Sequence, residues 1–135
     1  MELKTVEMHG VAVIEIHGKV VGDVENCHKL HGLFQSLLGE GKRKFVVNLR
    51  DVPWMNSLGI GMFIGAYASV KKRGGELVLA GPSERVRDVL AVTQLFTLFD
   101  VFDTVDSAVN QLAGNARPPV AGLVREALPR DRPPA

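Results

Sequence analysis

The chain has 135 residues, 46% of them hydrophobic, and a formal net charge of +1. That length suits one domain with one real core, and the near-neutral balance argues against nucleic acid as the main partner, since phosphate binding shows as an excess or clustering of Lys and Arg. A single cysteine, Cys27, excludes an internal disulfide and fits a reducing cytosol. No basic and apolar signal region opens the chain, and no apolar run is long enough to cross a bilayer, so a cytoplasmic protein without membrane insertion is expected.

Leu3 to Met8 and Val11 to His17 read as two strands joined by a tight turn at His9-Gly10, the second ended by Gly18. From Asp23 the period changes: Cys27, Leu30, Phe34, Leu37 and Leu38 fall on one helical face, and Gly39 to Gly41 stop the helix. Phe45 to Leu49 is a short buried strand followed by the turn Asp51-Val52-Pro53. A helix then runs to about Lys72 and is closed by Gly74-Gly75. Glu76 to Ala80 is a strand, and Ser83 caps a helix whose Val86, Val89, Leu90 and Thr93 share a face. Phe99 to Phe102 is a last short strand and Val105 to Leu112 a last helix.

Strands alternating with helices after an N-terminal hairpin predict a single α/β domain over residues 1–114. Its central sheet is mixed, with about five strands, and it carries about four α-helices. Beyond Gly114, prolines among Arg and Ala predict a flexible Pro/Arg-rich tail over 115–135, in which Val120 to Leu128 could form a short helix.

The most informative stretch is "WMNSLGIGMFIG", Trp54 to Gly65. Counted in fours from a helix start at Ser57, Ser57, Gly61, Gly65 and Ser69 form a lane of small side chains. Ile60, Phe63, Ile64 and Tyr67 form a large apolar face, and Leu58 pairs with Met62. The helix is apolar around most of its circumference, more than one buried face requires. The plainest reading is packing: glycines let the helix sit tightly on a sheet, and Ser57 caps it. The glycine spacing G-x-G-x-x-x-G is not a dinucleotide pattern, and no Gly-Lys-Ser run follows. A third reading is covalent, because a serine at a helix start is a favourable place for a phosphoryl group, whose charge of about −1.5 to −2 would turn off an apolar docking surface.

The stretches "KFVVNLRDVPWMNSLGIGMFIGAYASVKKRGGELVLAG" and "PSERVRDVLAVTQLFTLFDVFDTVDSAV" resemble the STAS domains of bacterial anti-sigma factor antagonists, in element order over roughly residues 3 to 112. The resemblance implies a non-enzymatic partner-switching module. The unmodified protein binds an anti-sigma factor that is also a serine kinase, phosphorylation disrupts the complex, and a serine phosphatase resets it. Ser57 matches the family's phosphoacceptor, and Trp54, Asn56, Ser57, Leu58, Gly61 and Met62 are the implied partner-binding residues. Three positions depart from the family pattern: Asn56 replaces an aspartate, Leu58 replaces a second serine or threonine, and Gly18-Lys19-Val20-Val21 replaces a segment bearing an acid. These departures keep a second reading open, a STAS scaffold or accessory subunit of a stress-sensing or lipid-transport complex without a phosphoserine switch. A nucleotide sensor is a weaker third. A homodimer is open on either of the first two.

His28 and His31 beside Cys27 could present two imidazoles on one helix face, but no second ligand cluster accompanies them, so no metal is expected. No nucleophile–base arrangement or paired carboxylate signature stands out, and no cofactor is implied. Tyr67 reads as core, and Trp54 either as a partner anchor or as cover for the end of the sheet.

Overall fold

The computed structural model describes residues 1–114; the segment 115–135, with the helix considered for Val120 to Leu128, lies outside the described residues. The strands are β1 (Glu2–Met8), β2 (Val11–His17), β3 (Lys44–Asp51), β4 (Glu76–Ala80) and β5 (Val101–Phe102). The helices are α1 (Val24–Gly39), α2 (Ser57–Lys72), α3 (Glu84–Val92) and α4 (Val105–Ala113), with a 3₁₀ turn at Leu95–Thr97. The sheet order is β1-β2-β3-β4-β5. The first pair is antiparallel and the other three are parallel.

The hairpin turns on His9 and Gly10, both at positive φ (53° and 81°), the conformation that a two-residue turn between twisted strands requires. Strands β2 and β4 and the middle of β3, Phe45 to Leu49, are largely buried, as strands covered on both faces must be. Edge strand β1 is mostly exposed. Three successive crossovers of one hand, each stepping the same way along the sheet, carry α1, α2 and α3 to the same face. There Ile14, Phe45, Val47 and Leu79 meet Phe34, Phe63 and Leu90, with the rings of Phe34 and Phe45 5.3 Å apart. Among the described residues, helix α4 alone covers the other face, through Ala108, Val109 and Leu112 on Val11, Val13, Val46 and Val78.

Three details differ from the sequence-based expectation. Cys27 is exposed, because the buried stripe of α1 is Leu30, Phe34, Leu37 and Leu38. Thr93 ends α3 rather than extending its face, its hydroxyl donating back to the Val89 carbonyl at 2.7 Å. Strand β5 is only two residues long: Phe99 turns into the core, edge-on to Tyr67 with ring centroids 5.1 Å apart, so pairing reaches back only to the Asp100 carbonyl, which accepts from Leu79 N.

Candidate functional site

The site is built where β3 ends and α2 begins. After β3 the chain runs beside the segment that leaves β2. Val20 N–H donates to Trp54 O, Asn56 N–H donates to Val20 O, and Val20 and Met55 form a parallel bridge. These bonds hold Asn56 extended (φ −94°, ψ 175°), which makes it the cap of α2 and leaves Ser57 as the first helical residue. The reading of Ser57 as a cap is therefore corrected. Asn56 Oδ1 accepts from Gly59 N–H at 2.7 Å and also from Gly22 N–H at 3.0 Å, so one side-chain oxygen serves the helix and the β2–α1 loop together.

Only some of the glycines are there for packing. A Cβ on Gly59 would sit 2.7 Å from Val20 O, and one on Gly22 would sit 2.3 Å from both the backbone and the Cβ of Leu58. Gly61 and Gly65 face open space. Tight seating thus accounts for Gly59, against the loop rather than the sheet. It does not account for the outward pair.

Contact with Val20 also sets the phase of α2. Gly59, Ile60, Met62, Phe63, Ala66 and Val70 turn inward, while Ser57, Leu58, Gly61, Ile64, Gly65 and Ala68 are exposed. Met62, expected on the contact surface, is only 8% exposed and packs in the core, so its place there is corrected. Leu58, its supposed pair, is 67% exposed. Ile64, assigned above to the large apolar face, is 40% exposed and joins the outer surface, which spacing alone did not show. Trp54 is half-buried beside this face.

The outer face of α2 carries no charge until Lys71 and Lys72. Its N-terminus is likewise uncompensated: α1 has Asp23 and Glu25, α3 has Glu84 and α4 has Asp106, but α2 has a neutral cap and no acid in its first turn. The Ser57 hydroxyl makes no hydrogen bond among the described residues.

Among the described residues no group of three or more His, Cys, Asp or Glu is placed to hold a metal ion. An open groove between β1 and α1, lined by Glu2, Leu3, Thr5, Lys29, Leu33 and Ser36, shares no residue with the Ser57 surface. No helix among the described residues is long and apolar enough to cross a membrane.

The family model described as the STAS domain matches residues 2–108. The chain belongs to the STAS family. A Thermotoga neapolitana relative, named as homologous to an anti-sigma factor antagonist, is 31% identical over 93 residues, 68% of this chain and 82% of the relative. The anti-sigma-B factor antagonist of Bacillus subtilis is 42% identical over 53 residues, 39% of this chain and 49% of that protein. A crystal structure described as an anti-sigma factor antagonist from Thermotoga maritima matches this STAS domain with a TM-score of 0.73 at 24% identity, covering 82% of this chain and 93% of that one. These names describe regulatory binding proteins rather than enzymes.

Proposed function

We propose that this STAS domain is a cytoplasmic anti-sigma factor antagonist that binds an anti-sigma factor serine kinase and is switched by phosphorylation of Ser57. The observation that carries this reading is the free, exposed hydroxyl of Ser57 at the head of an uncharged helical face. Because Asn56 does the capping, esterifying the Ser57 hydroxyl does not use up the group that caps the helix. The N–H groups of Ser57 and Leu58, which have no acceptor within the helix, favour a negative charge beside them. Phosphorylation therefore leaves the fold intact.

Its effect falls on docking. Leu58, Gly61 and Ile64 present an apolar surface to a partner, with Trp54 at its rim. Burying that surface drives association in proportion to the apolar area covered. A group of about −1.5 to −2 charges at its edge must be desolvated on docking, which costs several kcal/mol unless it is paired. A serine phosphatase would restore the binding form.

The test is incubation with ATP and each serine-kinase anti-sigma factor of the same organism, read by intact-mass spectrometry. One added phosphate mapped to Ser57, with loss of the complex, supports the switch. A stable complex that forms without phosphate transfer and survives Ser57→Asp overturns it and assigns the surface to a scaffold or accessory subunit.

A further inference from the structure

The two hydrogen bonds on Asn56 Oδ1 have a consequence for regulation of the Ser57 site. The loop Gly18–Gly22 is held to the segment before α2 by backbone bonds at Val20, and Val21 O accepts from Asn26 Nδ2 of α1 at 3.0 Å, but the Gly22 N–H depends on one side-chain acceptor. Gly22 N–H has no described partner other than Asn56 Oδ1. Gly59 N–H shares that oxygen at the shorter distance of 2.7 Å. Gly22 itself lies flat against Leu58, with no room for a Cβ between them, so the loop and the first turn of α2 form one surface. Lys19 and Val21 sit on the loop half of it, exposed and half-buried.

An acidic group on Ser57 competes for the same donors. From the first helical position it lies beside the N–H groups of the first turn, among them Gly59 N–H, which Asn56 Oδ1 already holds. As that N–H turns toward the new acceptor, Asn56 Oδ1 loses the bond that fixes its rotamer, and its hold on Gly22 weakens.

We propose that Asn56 is a positioning residue that transmits charge at Ser57 into the β2–α1 loop, releasing Gly22 while the Val20 bonds and the Asn26–Val21 bond remain. This rests on Ser57 being the regulated residue of the site. Modification then alters two parts of the docking surface: charge is added beside Leu58, and Gly22, packed against Leu58, loses its hold on Asn56. A carboxylate in place of Asn56 would hold both N–H groups through charge-assisted bonds, roughly twice as strong, and would break this transmission.

The test needs neither kinase nor partner, so it fails or succeeds separately from the function proposed above. Amide hydrogen exchange is measured on the full-length ¹⁵N-labelled chain with Ser57, Ser57→Ala and Ser57→Asp, each with Asn56, Asn56→Ala or Asn56→Asp. With Asn56 present, Ser57→Asp speeds exchange at Gly22 about tenfold, the size expected for loss of one hydrogen bond; Ser57→Ala changes nothing, and Val20 keeps its protection. A nearby carboxylate by itself slows base-catalysed exchange, so acceleration has the sign that transmission alone gives. With Asn56→Asp the effect of Ser57→Asp shrinks to within about twofold. With Asn56→Ala, Gly22 exchanges fast whatever stands at 57. Gly22 exchange unmoved by Ser57→Asp, or accelerated equally in all three backgrounds at 56, overturns the proposal.

Discussion

Asn56 and Gly22, 34 residues apart, are joined by a 3.0 Å hydrogen bond from the glycine N–H to the asparagine Oδ1. It closes a contact in which two loops and a helix start meet without side chains between them. Gly22 touches the backbone of Leu58 and Gly59 touches the carbonyl of Val20, both closer than a Cβ allows. The close fit beneath the Ser57 surface comes from this glycine-lined seam.

Gly22→Ala is therefore expected to be costly. Its Cβ would overlap main-chain atoms of Leu58, which cannot swing away as the end of a flexible side chain can. Overpacking of this kind costs about 1–3 kcal/mol. The check is urea denaturation: a lower midpoint with unchanged slope is expected, and a midpoint equal to the parent's would mean that the seam is looser than described.

Gly61→Ala should act in the opposite sense. The site is open and helical, and alanine is favoured over glycine in a helix interior by about 1 kcal/mol. The variant is expected to melt several degrees higher by circular dichroism. A glycine that lowers stability at an exposed position calls for a reason outside the fold, and close approach of a partner supplies one. The same variant should then bind the proposed anti-sigma factor partner more weakly although it is more stable, a pairing that a purely structural glycine cannot produce.

Much of the fold was legible because each element carried its own signal. The runs VAVI, FVVNL and LVLA could be little other than buried strands, and Leu30, Phe34, Leu37 and Leu38 fixed one face of α1. The α/β class with a mixed sheet followed from alternation, and the STAS fold from the motif resemblance. What stayed hidden was decided by distant contacts. Asn56 and Ser57 are equally good caps on propensity, and the carbonyl of Val20 selects between them by holding the Asn56 N–H. Helix α2 is apolar nearly all round, so no periodicity could fix its rotation. Contact of Gly59 with Val20 fixes it, turning Met62 in and Ile64 out. Ser57 is proposed as the focus of the site from motif resemblance together with its place at a helix start. The role of Gly22 left no local signal.

We propose residues 1–114 as the complete folding unit. Gly114 ends α4 in the left-handed conformation (φ 75°), its N–H donating to Gln111 O, and Ala108, Val109 and Leu112 already complete the second core layer. A chain truncated after Gly114 should melt within about 2 °C of the full-length protein, the difference expected when no buried contact is lost. A drop of ten degrees or more would show that 115–135 contributes to the core.

Leu58 and Met62 separate binding from folding. Leu58 is 67% exposed, and replacing it with serine removes apolar surface that the isolated domain does not bury. Its effect on stability should stay within about 0.5 kcal/mol. If Leu58 seats in the partner, losing that burial costs about 1.5–3 kcal/mol of affinity, tenfold or more in Kd. Met62 is 8% exposed and sits in the main core, so Met62→Ala should cost about 2–5 kcal/mol of stability. Any loss of binding in that variant should follow the fraction unfolded and disappear at low temperature, where the folded form is refilled. Denaturation curves and titration calorimetry on both variants read the two effects independently. A Leu58→Ser protein that binds as well as the parent would remove Leu58 from the docking surface and move that surface along α2 toward Ile64.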